Sequence, residues 1–185
     1  MSRMGAYVLA AITAASVATA SADAPVGWST IGRVAGSGYV TERDITVFPN
    51  GAGLPPGAGS VKGGRRIFEQ RCAACHGASA EGNDAYPPLA GGRGSLGSPE
   101  PLLTVGSYWP FATTLWDYTR RAMPYTEPGT LSADDLYAVT AYVLHLNGIL
   151  GADAVLDAKS LAAIEMPNRH GFVPDGRPDT RATRR

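Results

Sequence analysis

The stretch Cys72-Ala73-Ala74-Cys75-His76 decides how the rest of the chain is interpreted. Two thiols three positions apart, with a histidine directly after the second, can form thioether bonds to the two vinyl groups of a haem while the imidazole takes one axial iron position. The sequence contains 2 cysteines, and both are in this motif, so no surplus thiol needs another explanation. The motif therefore predicts one covalently bound haem c, with His76 as a ligand of its iron.

Two other chemistries use closely spaced cysteines. A zinc site normally needs four protein ligands, and His145 and His170 lack the second close pair that zinc-binding modules show. A thioredoxin-like redox pair would follow a strand and open a helix, whereas here a helix-like stretch precedes Cys72 and a Gly-rich loop follows His76. The pattern favours haem attachment over both.

The composition is that of one soluble domain with tails. The chain has 185 residues and 44% apolar content, and its 23 glycines and 14 prolines indicate many loops and few long elements. The formal net charge is +0, which argues against a nucleic-acid binder because such proteins carry a concentrated basic field.

The first 22 residues have the pattern of an export signal. Arg3 supplies a positive end, residues 7–18 form a short apolar run, and Ala20-Ser21-Ala22 offers small residues for cleavage. No twin arginine precedes the run, so the sequence predicts the general secretory route and a periplasmic protein without a membrane span after cleavage. An uncleaved leader that serves as an anchor is the alternative.

Three helices are predicted, over residues 60–71, from 112 or 113 to 121, and over 131–147. Ser60 and Ser132 are candidate N-caps, and Gly64 on the first helix predicts close approach of another helix, with Tyr142 on the last helix meeting it. Two weaker patterns predict a short strand over residues 44–48 and a short helix over residues 156–164.

A loop after the cysteine motif contains Pro87-Pro88-Leu89-Ala90-Gly91, a Pro-x-Leu-x-Gly pattern. A backbone carbonyl in such a loop can accept the Nδ1 proton of His76, which fixes the ring and makes it a better iron donor. We predict the carbonyl of Pro87 as that acceptor, with a simple turn proline as the alternative.

Met123 stands before a proline, which ends the preceding helix and places a thioether on an extended loop 47 residues after His76. A methionine opposite a histidine makes the iron six-coordinate and raises its potential, which suits electron transfer. Met123 is therefore the predicted second axial ligand. Met166, also before a proline, is the rival, and core packing is the alternative for either.

Residues 107–111 form the densest aromatic cluster of the chain. Tyr108 and Trp109 are predicted to wall the haem, with polar tips in reach of its propionates, although ordinary core packing is an alternative. Arg120 is a candidate for offsetting propionate charge.

The order of these features from Ser60 to Gly148 resembles class I cytochrome c. The resemblance implies an all-α domain with a class I cytochrome c fold, and a haem held by His76 and Met123. We accordingly expect a signal peptide at residues 1–22, an extended N-terminal arm at 23–59, a monohaem domain at 60–150 and a C-terminal arm at 151–185.

A narrower resemblance covers almost the whole chain after the leader. The chain is similar to the cytochrome subunits of bacterial sulfite and sulfane dehydrogenases, the SoxD type, in Ile31-Gly32-Arg33, Asp44-Ile45-Thr46-Val47, Gly53-Leu54-Pro55-Pro56-Gly57, residues 108–115, residues 120–124 and Met166-Pro167-Asn168-Arg169. This resemblance implies a molybdenum-containing partner subunit that oxidises sulfur, and a soluble cytochrome c that accepts the electrons. The chain itself would be a non-catalytic electron-transfer subunit. Some family members carry a second haem, and this chain has a single motif.

Two other functions stay open at this stage, besides a purely structural subunit whose haem is incidental. The first is a free-standing carrier for another dehydrogenase or respiratory complex, which would have little use for long arms. The second is a haem sensor or catalyst with an open iron position, which requires that Met123 does not bind.

Overall fold

The structure, a computed structural model, describes residues 32–177 of the chain. Its helices and strands, in order, are α1 (Ser37–Arg43), β1 (Ala58–Ser60), α2 (Val61–Arg71), α3 (Ala73–His76), α4 (Ala112–Ala122), α5 (Ala133–Leu146), β2 (Val155–Asp157) and α6 (Ala158–Ala162), with a short 3₁₀ turn at Ser95–Gly97. Among these residues no helix has the length and apolar character needed to cross a membrane. The predicted signal peptide lies outside the described residues.

Helix α2 begins where the sequence predicted. The Ser60 side chain accepts a hydrogen bond from the Gly63 amide, so it satisfies one of the free donors of the first turn. Val61, Gly64 and Phe68 are the buried residues of the helix. They recur every three or four positions, which is the spacing that places one face of a helix against a core.

Helix α5 is the centre of the core. Ser132 and Asp135 form a reciprocal capping box at its start, and the helix is buried along most of its length. A Cβ atom on Gly64 would overlap the carbonyl oxygen of Ala138, so α2 and α5 touch through their backbones. The Phe68 and Tyr142 rings meet beside this contact with centroids 5.4 Å apart, as the sequence predicted. Glycine at position 64 is therefore required by the crossing.

Helix α4 completes the core and runs one residue beyond its predicted end. Leu115 and Trp116 are buried on it, and the Trp116 ring lies 5.5 Å from that of Tyr137 on α5. The Thr119 hydroxyl donates a hydrogen bond to the carbonyl of Leu115, so this buried polar group has a partner within the helix.

A two-stranded antiparallel ladder pairs the segment before α2 with the segment after α5. Gly59 of β1 pairs with Leu156 of β2, and Gly59 lies so close to Ala138 that a Cβ atom would overlap the Ala138 backbone. The strand predicted over residues 44–48 is wrong. The carbonyl of Ile45 instead accepts the Arg121 guanidinium at 2.9 Å, which leaves that segment as a loop on α4.

Residues 44–57 lie on the core without regular structure. Val47 and Leu54 pack against core side chains, and the buried Tyr137 hydroxyl donates to the Pro55 carbonyl at 2.7 Å. The Ala58 amide donates to the Asp134 carboxylate at 2.8 Å. Side chains of α5 therefore hold this segment.

The chain after α5 also differs in detail from its prediction. The helix predicted over residues 156–164 is shorter, because Val155–Asp157 pairs as β2 and Asp157 then caps α6 through the Ser160 amide at 2.7 Å. Leu161 is buried in the core, so this short helix is held by packing.

Contacts divide the chain into two units, with the boundary between Arg43 and Asp44. In the first unit, residues 37–43 form α1, so the prediction of an extended arm is wrong for them. The sequence did not predict this helix, because glycines at positions 36 and 38 disfavour helix formation. In the structure the Thr41 hydroxyl donates a hydrogen bond to the Ser37 carbonyl, one turn back. No residue of α1 is buried.

Candidate haem site

The cysteine motif forms a tight turn at the end of α2. The Cys72 amide donates to the Phe68 carbonyl, and the amides of Cys75 and His76 both donate to the Cys72 carbonyl. The motif therefore continues the helical direction through α3, which places Cys72 and Cys75 about one turn apart on the same side. Both side chains line one cavity.

His76 is buried, and its ring is held by the loop that follows. Its Nδ1 atom lies 3.0 Å from the carbonyl oxygen of Pro87. A carbonyl can only accept a hydrogen bond, so Nδ1 carries the proton and the lone pair is on Nε2. In this tautomer the imidazole is a neutral nitrogen donor, which is the form that binds iron.

The loop from Gly77 to Gly91 is fastened to the motif by backbone hydrogen bonds. The Gly82 amide donates to the His76 carbonyl at 2.7 Å, and the amides of Leu89 and Ala90 both donate to the Ala80 carbonyl. These bonds fold the loop back on α3 and bring Pro87 to the histidine.

Met123 lines the same cavity from the end of α4. It follows the last residue of α4 with an extended backbone, φ −125° and ψ 146°, and its amide still donates to the Thr119 carbonyl. Proline at position 124 excludes a further helical turn, so the thioether leaves the helix at this point. Its side chain lines the cavity together with His76.

The cavity has a volume of about 290 Å³ and is predominantly apolar. Its lining is formed by Phe68, Arg71, Cys72, Cys75, His76, Tyr86, Pro87, Leu89, Leu115, Tyr118, Thr119, Met123, Pro124, Tyr125, Val139, Thr140 and Val143. The buried Thr140 hydroxyl has no hydrogen-bond partner within the described residues.

The donors that meet here fit a covalently bound haem. Two thiols, one imidazole and one thioether face a single apolar cavity, and this is the set that a haem with histidine and methionine ligands requires. Burial raises the pKa of the Cys72 thiol to about 11. Reactive redox cysteines have a lowered pKa, so the environment of Cys72 opposes the thioredoxin-like alternative.

Three residues predicted to surround the haem lie outside the cavity lining. The ring of Tyr108 packs on Phe172, with centroids 5.1 Å apart, and Trp109 packs edge-on against Tyr118 at 5.8 Å. Arg120 lies over the Trp116 ring, 5.7 Å from its centroid. Trp109 thus contacts the lining residue Tyr118, whereas Tyr108 and Arg120 contact the rings of Phe172 and Trp116, neither of which lines the cavity.

The rival methionine is in a different place. Met166 is 1% exposed and belongs to the hydrophobic core, not to the cavity lining. His145 is likewise a packing residue of α5, with Nδ1 2.9 Å from the Leu150 carbonyl. Of the two methionines weighed from the sequence, only Met123 shares the cavity with the cysteine motif.

Three exposed tyrosines line the cavity, and sequence reasoning missed two of them, Tyr86 and Tyr125. Tyr86, Tyr118 and Tyr125 are 42%, 50% and 79% exposed, and all three line the cavity. The signal available was their position, because Tyr86 precedes Pro87 and Tyr125 follows Met123 by two residues.

An ion pair joins the lining residue Arg71 to the segment after Met123. Arg71 Nη2 donates to Glu127 Oε2 at 2.7 Å and to Thr130 Oγ1 at 3.1 Å. Arg71 precedes the first cysteine, and Glu127 follows Met123 by four residues. The contact therefore ties the methionine loop to the end of α2.

Comparison with known proteins agrees with this geometry. The cytochrome c family model matches residues 61–147. A solved structure titled sulfane dehydrogenase SoxCD, from Paracoccus pantotrophus, is 46% identical, with a TM-score of 0.74 over 82% of this chain and 74% of that chain.

A curated relative is more distant. A thiosulfate dehydrogenase from Psychrobacter arcticus is 29% identical over 132 residues, which are 68% of this chain and 33% of that protein. The chain thus spans about a third of the length of that relative.

These comparisons confirm the predicted resemblance and the class I cytochrome c fold. The family match covers α2 to α5 and includes both cysteines, His76 and Met123. Members of this family carry a covalent haem and exchange electrons. From its cysteine motif, its fold and its solved relative, the chain belongs to the cytochrome c family.

Proposed function

We propose that this chain holds one haem c through thioether bonds of Cys72 and Cys75, with His76 and Met123 as the two axial iron ligands. The observation that carries this proposal is that all four side chains line one apolar cavity. When bound, the haem supplies an iron that alternates between the ferric and ferrous states.

The residues of the chain tune and protect that site. The Pro87 carbonyl orients the His76 ring and raises its basicity through the hydrogen bond to Nδ1. Phe68, Val139 and Val143 supply apolar walls that exclude water. The Arg71–Glu127 ion pair holds the methionine loop at the mouth. These groups hold and shield the haem, which is what electron transfer at the site requires.

We further propose that the chain is the electron-transfer subunit of a periplasmic sulfite or sulfane dehydrogenase. A molybdenum-containing partner would oxidise the sulfur compound, and a soluble cytochrome c would take the electrons onward. The proposal is supported by 46% identity to a sulfane dehydrogenase over 82% of this chain. In this reading residues 60–150 form the haem domain, the exposed parts of the segments on either side of it hold the partner, and residues 1–22 direct export.

The test is to capture the tagged, haem-loaded chain from a periplasmic extract. The bound fraction is assayed for molybdenum and for haem reduction on addition of sulfite or thiosulfate. The matched control is the double variant Cys72→Ala, Cys75→Ala, which should lose covalent haem. A molybdenum partner that reduces the haem would support the dehydrogenase assignment. A cytochrome that is recovered alone, and that neither compound reduces, would leave only a general electron carrier.

A further inference from the structure

We propose that Asn83 is a positioning residue that holds the Pro87 carbonyl against His76 and thereby sets the donor strength of the histidine. The inference rests on the proposed function, in which His76 is an iron ligand. Asn83 does not line the cavity and belongs to no motif of the sequence analysis.

Both ends of the Asn83 side chain are used. Its Nδ2 atom donates to the Cys75 carbonyl at 2.8 Å. Its Oδ1 atom accepts from the amides of Ala85 and Tyr86, at 2.9 and 3.0 Å. The Asn83 amide in turn donates to the Tyr86 carbonyl at 2.9 Å. One side chain thus joins the haem-attachment motif to the residue that precedes Pro87.

These bonds close a ring through the histidine. From Cys75 the backbone leads to His76, whose Nδ1 bonds Pro87, and the backbone leads back from Pro87 to Tyr86. Asn83 then connects Tyr86 to Cys75. The Pro87 carbonyl is therefore held in two ways. The hydrogen bonds of Asn83 fix the preceding residue, Tyr86, and the His76 ring contacts the carbonyl itself.

Burial does not fix the position of the Pro87 carbonyl, because residues 83–87 are all exposed. Within the described part of the chain, every hydrogen bond of this segment involves either Asn83 or the Pro87 carbonyl. A segment with few buried contacts opens easily unless hydrogen bonds hold it. Asn83 is thus the residue that fixes the position of the carbonyl.

Asparagine suits this position chemically. The contact needs one donor and one acceptor on a short side chain, and the amide provides both. An aspartate would keep the two bonds from the Ala85 and Tyr86 amides but could not donate to Cys75. An alanine would lose all three.

The consequence concerns the histidine ligand. A hydrogen bond from Nδ1 makes the imidazole a stronger donor, which stabilises the ferric state. If the Pro87 carbonyl moves away, the ligand becomes a weaker donor and the reduction potential rises. The Nδ1 proton also exchanges with water more readily, because its partner is lost for part of the time.

The test compares Asn83→Ala and Asn83→Asp with the control Asn50→Ala, all as full-length haem-loaded proteins. Asn50 also accepts a backbone amide, that of Ala52 at 3.0 Å, in an exposed turn outside the cavity lining. The readouts are the reduction potential and the exchange of the His76 Nδ1 proton, followed by NMR. The potential is compared only for the alanine variants, because aspartate adds a charge.

We expect Asn83→Ala to raise the potential, and both Asn83 variants to exchange the Nδ1 proton about tenfold faster. Asn50→Ala should change neither quantity. Unchanged exchange in Asn83→Asp, or an unchanged potential and exchange in Asn83→Ala, would overturn the role of Asn83 and leave the proposed function intact. Absence of covalent haem from the unmodified chain would instead overturn the proposed function itself.

Discussion

Met123 and Met166 are both followed by proline, but their side chains have different surroundings. Met123 shares the cavity with the cysteine motif, whereas Met166 is 1% exposed within the core. A thioether can serve as an iron ligand in the first place and only as packing in the second. The two residues therefore form a matched pair for substitution.

We expect Met123→Leu to remove the long-wavelength ferric charge-transfer band and to allow rapid binding of CO to the reduced protein. Leucine matches the volume of methionine but cannot bind iron. Met166→Leu should keep the band and cost less than about 1.5 kcal/mol of unfolding free energy, as expected of a volume-conserving core change. Visible spectra and CO mixing experiments distinguish the two. Persistence of the band in Met123→Leu would remove Met123 from the proposed ligand set.

At the residue scale, contacts between near neighbours in the sequence could be predicted, but the direction in which a helix residue faces could not. The cysteine motif and the carbonyl contact of Pro87 depend on a few neighbouring residues, which a sequence displays. On α4, in contrast, Leu115, Tyr118 and Thr119 face the cavity. Trp116 and Arg120, each one residue after a lining residue, contact each other and do not line the cavity. Adjacent positions differ by about 100° around a helix, so aromatic density alone cannot predict which residue reaches the haem.

Between elements, the main contact is the crossing of α2 and α5 at Gly64 and Ala138. The sequence predicted this crossing, because an unneeded glycine inside a helix is unfavourable unless another backbone approaches it. It could not predict β1 and β2, since each strand has only three residues and the pairing partners lie about a hundred positions apart. The predicted strand over residues 44–48 failed because its β-branched pattern had no partner to pair with.

We expect Gly64→Ala to lower the free energy of unfolding by about 3 kcal/mol, because the new methyl group overlaps the Ala138 carbonyl oxygen and forces the helices apart. Gly63→Ala is the control in the same helix. Its methyl group would lie 3.3 Å from Ser60 Oγ and 3.8 Å from Ala138 Cβ. Its gain of helix propensity should keep the net change within about 1 kcal/mol. Denaturant unfolding of both variants measures the difference, and equal stabilities would contradict the close crossing.

For the whole molecule, the boundary between Arg43 and Asp44 matters more than the predicted end of the N-terminal arm at residue 59. Residues 44–57 contribute Val47 and Leu54 to the core surface and accept the Tyr137 hydroxyl at Pro55. Residues 37–43, in contrast, bury no side chain.

Deletion of residues 32–43, all of them exposed, should therefore keep the melting temperature within about 2 °C, whereas deletion of residues 32–58 should lower it by about 10 °C or more. The larger deletion removes the Tyr137 and Asp134 hydrogen bonds and strand residue Ala58. Calorimetry of both haem-loaded proteins tests this. If the exposed α1 serves the partner, the smaller deletion should weaken capture of the dehydrogenase without loss of haem. Equal melting temperatures for the two deletions would show that residues 44–58 do not support the fold.

The mouth of the cavity predicts how electron exchange responds to salt. Its exposed tyrosines are Tyr86, Tyr118 and Tyr125, and the charge of Arg71, which is also exposed, is paired with Glu127. Rates that depend on charge steering fall steeply with ionic strength, and this surface offers little charge. We expect haem reduction by the captured partner to change less than about threefold between roughly 0.05 and 0.5 M salt. Tyr125→Lys should introduce a clear salt dependence. A steep dependence in the unmodified chain would place docking on another surface.

The packing of α2 against α5 also has a consequence for the order in which the chain is made. The two helices are the first and last long elements of the haem domain, and about 70 residues separate His76 from the end of α5. At roughly 5–20 residues per second, ribosomes need about 4–14 s to produce that stretch. During this interval α2 has no partner helix, so the cysteines emerge on an open chain. Val139, Thr140 and Val143 of α5 form part of the cavity lining, so the cavity cannot close around Cys72, Cys75 and His76 until α5 has been made.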